Sequence, residues 1–378
     1  MLESGSGGNP RHLYIHVPFC ARRCSYCDFS IAVRREVPVG EYLEALRAEL
    51  ALCNRAGDEW RLDTLYFGGG TPSRLGGVGV QRAMDLVREY ASLEGDCEVT
   101  LEANPDDVSA HAALRWHDSG VNRLSIGSQS FDNRVLDWMH RTHDSAQIED
   151  AVATARAAGI DNVSLDLIFA LPEALGRNWD DDMERLIRLA PRHVSLYGLT
   201  IEPHTPAGHW RDRGALLEAP EERYESDFLT AHADFTAAGY EHYEVSNYAQ
   251  PGYRSRHNSA YWQRSPYVGV GPSAHSFDGI VRSWNVAQYT EWFSRLGKGV
   301  DVKAGTEVLG AEETVAEQVY LGLRTASGLL ATPAIIDRSR SWVEAGWAVI
   351  AGKRIHLTPL GWLRLDTFAA DLTLVGSP

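Results

Sequence analysis

Short apolar runs alternate with segments of helical periodicity along the first two hundred residues. Each run is rich in Leu, Ile, Val or Tyr, and several end in Gly, Pro or polar residues, which favours strands. The intervening segments carry apolar residues at near-helical spacing between Gly or Pro residues, which favours helices. The predicted strands are Leu13–Val17, Asp63–Phe67, Glu98–Glu102, Arg123–Gly127, Val163–Phe169 and His193–Leu199, and the predicted helices are Glu41–Asn54, Val80–Tyr90 and Ile148–Ala158.

This alternation predicts an α/β fold built on a parallel sheet with right-handed crossovers. Six strand–helix units are too few for a complete eight-stranded barrel, so we expect a partial (β/α)6 barrel of the TIM type. In such barrels the functional site lies at the C-terminal ends of the strands. Chemically suggestive residues stand at those positions, because Cys20, Gly68–Thr71, Glu102 and Gln129 follow or end the first four strands.

The pattern loosens after about residue 203. We predict helices at Glu221–Ala238 and Glu312–Thr325, separated by an aromatic-rich region. A hairpin of Trp347–Ile350 and Arg354–Leu357 follows, so the C-terminal part resembles a small α+β winged-helix module. The predicted division is a flexible N-terminus at 1–10, the barrel at 11–240, a connecting region at 241–310 and the winged-helix-like domain at 311–378.

The composition is that of a soluble globular protein, with 44% hydrophobic and 23% charged residues. No apolar run is long enough to cross a membrane. A formal net charge of -15 opposes binding to a phosphate backbone, so no nucleic-acid partner is expected, even for the winged-helix-like module. The first residues contain no apolar segment of a secretory signal, and we expect a cytoplasmic protein.

Three of the five cysteines, Cys20, Cys24 and Cys27, fall within eight residues. Thiolates are the natural ligands of iron–sulfur clusters, and spacings of four and three residues let one loop wrap three corners of a 4Fe-4S cube. Three ligands on four irons leave one iron open, where an amino acid can bind through its amine and carboxylate. The spacing therefore predicts a 4Fe-4S cluster with one exchangeable position.

A zinc site is the alternative to a cluster. Structural zinc takes four ligands, and the fourth would have to be His16 or a distant residue. The two remaining cysteines, Cys53 in a predicted helix and Cys97 just before a predicted strand, have no partner cysteine close in sequence. We therefore interpret them as structural.

The C-x-x-x-C-x-x-C spacing after a first strand resembles the signature of the radical S-adenosylmethionine superfamily. The preceding segment Tyr14–Phe19 narrows the resemblance to the oxygen-independent coproporphyrinogen III oxidase family and its heme-chaperone branch. The resemblance runs over nearly the whole chain. It implies that S-adenosylmethionine binds the open iron, where an electron from the cluster breaks its sulfonium carbon–sulfur bond to give a 5′-deoxyadenosyl radical.

The same resemblance assigns further cofactor contacts. The glycine-rich turn with Gly69, Gly70 and Thr71 matches the backbone that meets the methionyl group, although many such turns serve only chain reversal. Each single side chain also has a structural reading, as a helix cap, a surface charge or a partner of backbone amides. The matched positions are Glu102 at the end of strand three, Gln129 for the ribose, Arg141 for a carboxylate or ribose, Asp166 as another contact, and Tyr14 and Tyr26 beside the cluster and adenine.

Two departures separate this chain from the decarboxylating oxidases of the family. Those enzymes carry a further cysteine two positions after the triad, where this chain has Phe29, and a longer N-terminal extension than the nineteen residues before Cys20. The string His257–Trp262 instead resembles an H-N-x-x-Y-W element associated with heme binding in the chaperone branch. Histidine is the usual axial ligand of heme.

The neighbours of His257 suit a porphyrin. Tyr261 and Trp262 offer flat apolar area, and Arg254 and Arg256 offer partners for the propionates. The alternative is a loop with packed aromatics and a histidine whose hydrogen bonds are internal.

We therefore predict a heme chaperone that binds heme, a 4Fe-4S cluster and S-adenosylmethionine, and no catalytic residue is assigned. The partners implied are an unidentified heme-acceptor protein, with a membrane-associated respiratory hemoprotein as one candidate, and an electron donor such as a flavodoxin or ferredoxin. The alternative function is oxygen-independent coproporphyrinogen III oxidation. A third is other radical chemistry on the same scaffold, such as methyl transfer. The sequence predicts no oligomeric state.

Overall fold

The computed structural model describes residues 9–54, 57 and 59–376, so the N-terminal segment predicted at 1–10 lies mostly outside the described residues. The strands follow the predicted apolar runs and extend several of them. They are β1 His12–Val17, β2 Phe19–Cys20, β3 Ala32–Val33, β4 Trp60–Gly69, β5 Ala91–Ala103, β6 Arg123–Gln129, β7 Asn162–Phe169, β8 His193–Gly198, β9 Glu241–Glu244, β10 Asn247–Ala249, β11 Val268–Val270, β12 His275–Phe277, β13 Val281–Asn285, β14 Lys303–Val308, β15 Leu329–Leu330, β16 Ala348–Ala351 and β17 Arg354–Leu357.

The predicted helices are likewise present, with ends shifted by a few residues. Helix α5 begins with a capping box in which the Asp144 side chain accepts from the Gln147 amide and the Gln147 side chain accepts from the Asp144 amide. The helices are α1 Val39–Cys53, α2 Gly76–Arg88, α3 Ala110–Asp118, α4 Asn133–Trp138, α5 Ser145–Ala157, α6 Trp179–Leu189, α7 Pro206–Asp212, α8 Glu221–Ala237, α9 Arg256–Trp262, α10 Tyr289–Gly297, α11 Ala311–Arg324, α12 Pro333–Arg338, α13 Arg340–Glu344, α14 Pro359–Trp362 and α15 Leu365–Gly376.

The central sheet runs β11-β1-β4-β5-β6-β7-β8-β10-β9. The six predicted strands pair in parallel in chain order, which confirms the α/β partial barrel. Three short strands extend it: β11 pairs in parallel with β1, and at the other edge β10 pairs antiparallel with β8 and β9 pairs antiparallel with β10. The sheet therefore crosses the predicted boundary at residue 240, and that domain division stays a prediction.

The barrel strands alternate between apolar and polar side chains. On β1 and β4, Leu13, Ile15, Leu65 and Phe67 are fully buried in the core shared with the helices. The intervening positions are polar and contact one another inside the barrel; Tyr14, for example, stacks with Tyr66 at a centroid distance of 6.0 Å. Successive strand residues point to opposite faces of the sheet. The apolar side chains therefore pack between the sheet and the helices, and the polar ones line the barrel interior, which opens at the strand ends.

The C-terminal part contains the predicted helix and hairpin, and between them lie a strand and two short helices that were not predicted. Its three-stranded sheet runs β15-β17-β16, and α11 and α15 pack together beside it. A buried ion pair joins this part to the barrel, because Arg324 Nε lies 2.9 Å from a Glu244 carboxylate oxygen that is inaccessible to solvent. Within the described residues, no helix combines the length and apolarity needed to span a membrane.

Candidate functional site

Cys20 ends β2, and Cys24 and Cys27 lie on the loop between β2 and β3. The loop is anchored to neighbouring segments by backbone hydrogen bonds, with the Ser25 amide donating to the Met139 carbonyl (3.1 Å) and the Ala207 amide donating to the Ser25 carbonyl (2.8 Å). Cys20 Sγ lies 3.5 Å from the Thr71 hydroxyl. Burial raises the pKa of the Cys27 thiol to about 11 and also raises that of Cys20, so both thiols need a cationic partner to ionise at neutral pH.

The donor set of three thiols suits an iron–sulfur cluster, whose natural ligands are thiolates. His16, the proposed fourth zinc ligand, has both ring nitrogens engaged: Nδ1 lies 3.1 Å from the Tyr14 hydroxyl and Nε2 lies 3.3 Å from the Ser30 carbonyl. Cys20, Cys24 and Cys27 would therefore hold the cluster and leave one iron for an exchangeable ligand.

A cavity of about 390 Å³ opens at the C-terminal ends of the strands, and we call it the strand-end cavity. All three cysteines line it, together with every predicted cofactor contact except Tyr14 and His257. Sequence reasoning missed His140, Thr142 and Tyr197, which also line the cavity. The predicted residues that line it are Cys20, Cys24, Tyr26, Cys27, Gly69, Gly70, Thr71, Glu102, Gln129, Arg141 and Asp166.

The glycine-rich turn lies against the cysteine loop. A Cβ added at Gly70 would lie 2.7 Å from the Pro18 carbonyl oxygen and 3.0 Å from Cys20 Sγ. At Gly69 φ is +116°, and an added Cβ would lie 2.7 Å from the His16 ring. Only glycine fits these two positions, so the backbone here can approach both the thiolates and a bound amino acid closely.

Glu102 ends β5 with its carboxylate held on both oxygens. Oε1 accepts a hydrogen bond from the Tyr66 hydroxyl (2.8 Å) and Oε2 accepts one from the Gly69 amide (3.1 Å). Burial raises the pKa of Glu102 to about 7. With this pKa, the protonated and ionised forms of Glu102 both occur near neutral pH. The ionised form is the partner that a protonated α-amino group requires.

Arg141 joins the cysteine loop to the barrel. Its Nη1 donates to Cys24 Sγ (3.4 Å), and its Nη2 donates to the Asn104 side-chain oxygen (2.7 Å) and the Gly127 carbonyl (2.8 Å). Its Nε is buried without a partner among the described residues. An unpaired buried donor beside an open cavity suits an acceptor oxygen of a ligand, such as a carboxylate.

Two lining residues have a left-handed backbone, Gln129 with φ 65° and His140 with φ 59°. Such conformations cost roughly 1–3 kcal/mol in non-glycine residues and concentrate at functional sites. Gln129 lies at a register shift in the pairing of β6 with β7, which turns its side chain out of the regular strand alternation. The neighbouring Asp166 accepts from the Ser125 hydroxyl (3.2 Å), and burial raises its pKa.

Tyr14 and His257 are the two predicted contacts that lie elsewhere. Tyr14 does not line the strand-end cavity; it contacts His16 through a hydrogen bond and stacks with Tyr66, which donates to Glu102. His257 is 1% exposed, with Nδ1 2.7 Å from the Thr64 hydroxyl and Nε2 2.8 Å from the Tyr261 hydroxyl. Both ring nitrogens of His257 are thus engaged in internal hydrogen bonds in this conformation, and its contact with heme stays a prediction.

The neighbours of His257 have other contacts. The predicted propionate partners are already paired, since Arg254 contacts Glu241 (2.9 Å) and Arg256 contacts Asp96 (3.2 Å). Tyr261 and Trp262 line a second cavity of about 450 Å³, which we call the α9–α11 cleft. Its other walls include Tyr267, Phe277, Tyr320 and Leu321.

Comparison with known proteins shows the family of this chain. Residues 14–190 match the Radical SAM superfamily. The heme chaperone HemW of Lactococcus lactis is 36% identical over 85% of this chain and 83% of its own, and that of Mycobacterium tuberculosis is 36% identical over 98% and 96%. The solved structure of coproporphyrinogen III oxidase (HemN) from Escherichia coli covers 97% of this chain and 90% of its own with a TM-score of 0.82, at 22% identity, which is a likeness of fold.

Proposed function

This chain belongs to the HemW family of the radical SAM superfamily, and on that premise we propose that it binds heme and delivers it to an acceptor protein. The observation that carries the proposal is the extent of its likeness to heme chaperones, which spans nearly the full length of both chains. In this proposal the 4Fe-4S cluster and S-adenosylmethionine bind in the strand-end cavity. Heme binds at a separate surface of the protein.

The strand-end cavity supports the cofactor part of the proposal. The three cysteines would carry the cluster, and the Gly69–Thr71 backbone with Glu102 and Arg141 would orient the amine and carboxylate of S-adenosylmethionine. When bound, that pair supplies one-electron cleavage of a sulfonium bond. Thiolate ligands need a reducing compartment, so we place this function in the cytoplasm.

Coproporphyrinogen III oxidation remains the second candidate, favoured by the likeness to the HemN fold. In this structure the position two residues after the triad is Phe29, which is 65% exposed at the mouth of the cavity. A phenyl ring there offers no thiol for chemistry on a substrate. Anaerobic incubation with coproporphyrinogen III, dithionite and S-adenosylmethionine separates the two functions, because the chaperone gives no protoporphyrinogen IX.

We propose an acidic electron-transfer protein, of the flavodoxin or ferredoxin kind, as the reductant of the cluster. Four exposed arginines surround the cysteine loop, at Arg22, Arg23, Arg34 and Arg35. In the part of the chain that the structure describes, Arg23 and Arg34 donate to backbone carbonyls and none of the four has an acidic ion-pair partner. On a chain of net charge -15, such a cationic rim favours a negatively charged partner.

Hemin titration of the anaerobically reconstituted protein, followed by absorbance, tests the main proposal. We expect one hemin per chain and transfer to an apo-hemoprotein added afterwards. His257→Ala runs alongside, with the exposed His117→Ala as the matched control. Absence of stoichiometric binding by the holoprotein would overturn the chaperone function.

The His257→Ala variant separates two roles for this histidine. An iron ligand would shift the position of the Soret band when removed. A residue that only supports α9 would weaken binding without changing the band, because the buried ring orients Tyr261. We expect the second result.

A further inference from the structure

Tyr66 lies on β4 with its ring in the barrel interior, three residues before the strand ends. It does not line the strand-end cavity, yet its hydroxyl donates to Glu102 Oε1 at 2.8 Å. The Gly69 amide donates to the other carboxylate oxygen, Oε2, at 3.1 Å. Both oxygens of Glu102 are therefore held, and one of the two donors is a side chain behind the wall of the cavity.

The ring of Tyr66 packs against two others inside the barrel. The Tyr14 ring stacks with it at a centroid distance of 6.0 Å and an interplanar angle of 25°. The His257 ring stacks with it at 5.0 Å and 29°, and His257 is itself fixed by hydrogen bonds at both ring nitrogens. Because this packing leaves the phenol little rotational freedom, its hydroxyl is directed at Glu102 before any ligand binds.

Gly68 makes room for the two tyrosines. It precedes the glycines that line the strand-end cavity and does not line it itself. A Cβ added at Gly68 would lie 2.8 Å from the Tyr14 ring and 2.9 Å from the Tyr66 ring, which is closer than van der Waals contact allows. The first glycine of the motif therefore accommodates the rings, whereas Gly69 and Gly70 shape the turn.

The charges around Glu102 make the Tyr66 hydroxyl important for its ionisation. Burial raises the pKa of Glu102 to about 7, and the neighbouring carboxylate of Asp166 on β7 raises it as well. Among the groups that lower this pKa, the Tyr66 hydroxyl acts most strongly, ahead of the Gly69 amide and Arg123 on β6. The other titratable groups that face Glu102 are phenols whose pKa values are raised by burial, on Tyr14, Tyr197 and Tyr261.

From these contacts we propose that Tyr66 is a positioning residue for the S-adenosylmethionine site, whose hydroxyl orients the Glu102 carboxylate and favours the ionised form that receives the cofactor ammonium. The inference rests on the proposed function of the strand-end cavity, in which Glu102 binds that amine. A hydrogen bond donated to a carboxylate stabilises its charged form. It also leaves the remaining lone pairs of the carboxylate free for the ligand.

The test measures S-adenosylmethionine binding by equilibrium dialysis in the anaerobically reconstituted protein. Tyr66→Phe keeps the ring and removes the hydroxyl, so the pKa of Glu102 should rise above its value in the wild type. We expect the variant to bind about five- to tenfold more weakly than the wild type at about pH 6.5. The ratio of the two affinities should shrink towards one by about pH 8.5, because both carboxylates then ionise, and the ionisation of the cofactor itself cancels in the ratio.

Tyr90→Phe is the matched control, since it removes a hydroxyl that donates to the Arg47 carbonyl at an exposed place outside the cavity. It should bind S-adenosylmethionine like the wild type at every pH. Retention of the cluster absorbance shows that each variant is folded. If Tyr66→Phe weakens binding by the same factor at every pH, or not at all, the hydroxyl does not control the carboxylate and the proposal is overturned.

Two further measurements separate this inference from the function beneath it. In a Glu102→Gln background, Tyr66→Phe should have little further effect on binding, and a full additive loss would contradict the proposal. Without the cofactor, the fall in the free energy of unfolding with rising pH should extend to higher pH in Tyr66→Phe than in the wild type, and an unshifted profile would contradict the link between Tyr66 and Glu102. Normal binding by Glu102→Gln would instead overturn the cofactor role of Glu102, and this inference with it.

Discussion

The strand-end cavity and the α9–α11 cleft share no lining residue and are assembled in different ways. The cavity takes its side chains from the ends of consecutive parallel strands, so each short motif delivers its residues to one edge. The cleft takes its walls from α9, the β12–β13 hairpin and α11, which are far apart along the chain. A region built from strand ends, like the cavity, can be predicted from local sequence motifs. A region like the cleft cannot, because it depends on how distant elements pack.

Loss of the cluster is the largest change that would separate the two regions. Cys24→Ser removes one of three thiolate ligands, and we expect reconstitution to yield no cluster absorbance and no reductive cleavage of S-adenosylmethionine. Hemin affinity should stay unchanged, because the string His257–Trp262 lies outside the strand-end cavity that holds the cysteines. Cys53→Ser, at the end of α1 outside the cavity, is the control and should keep its cluster. Simultaneous loss of cluster and hemin binding would show that the two regions are coupled.

Removal of the guanidinium that ties the cysteine loop to the barrel should be the next largest effect. Arg141→Gln removes the charged donor that contacts Cys24 Sγ, the Asn104 side-chain oxygen and the Gly127 carbonyl. Hydrogen bonds to charged groups contribute roughly 1.5–3 kcal/mol, so S-adenosylmethionine should bind about ten- to hundredfold more weakly in equilibrium dialysis. The exposed Arg134→Gln should bind it normally. Normal binding by Arg141→Gln would remove this arginine from the site.

A charge reversal at the rim tests how the strand-end cavity receives electrons. Arg22→Glu combined with Arg23→Glu should slow cluster reduction by a reduced flavodoxin by on the order of tenfold at low salt, because electrostatic steering is lost. Stopped-flow measurements should show the difference shrinking as salt rises, while reduction by dithionite stays unchanged. Arg340→Glu, far along the chain on α13, is the control. A rate independent of both salt and charge would argue against an acidic donor.

The difference between the regions also explains what the sequence could predict. The six barrel strands were predictable from the apolar runs and the three cysteines from their spacing, whereas the other cavity residues, up to Asp166, were assigned through the family resemblance. His140 and Tyr197 were missed because neither stands in a motif, although both line the cavity. The alternation of apolar and polar residues along β1 and β4 was a readable signal of a polar barrel interior, and it would have placed Tyr14 inside the barrel.

His257 shows the limit of chemical reasoning from a motif. The string with Tyr261 and Trp262 indicates heme, but the Nδ1 contact with Thr64 comes from a strand almost two hundred residues earlier. No local pattern shows that pairing. The short strand β11 was missed for the same reason, because its partner β1 lies at the other end of the barrel segment. Side chains that are distant in sequence can occupy both ring nitrogens of a histidine with hydrogen bonds, as Thr64 does here for Nδ1.

The pH dependence of Glu102 should produce the smallest effect and the sharpest test of the strand-end cavity. Burial raises its pKa from 4.5 to about 7. The carboxylate binds the cofactor ammonium, so S-adenosylmethionine affinity should rise severalfold between pH 6 and pH 8, by no more than about tenfold per pH unit for a single ionisation.

The contribution of Glu102 to folding stability has the opposite sign. The unfolded chain releases this proton first, so the free energy of unfolding should fall as pH rises from about 4.5 to about 7, and then level off. Glu102→Gln cannot ionise and should flatten both profiles, with Glu98→Gln as the control on the same strand. A binding profile that keeps its slope in Glu102→Gln would assign the titration to another group. If the pH dependence of S-adenosylmethionine affinity and that of the free energy of unfolding have opposite signs, and both disappear in Glu102→Gln, then the ionised carboxylate strengthens ligand binding and destabilises the fold.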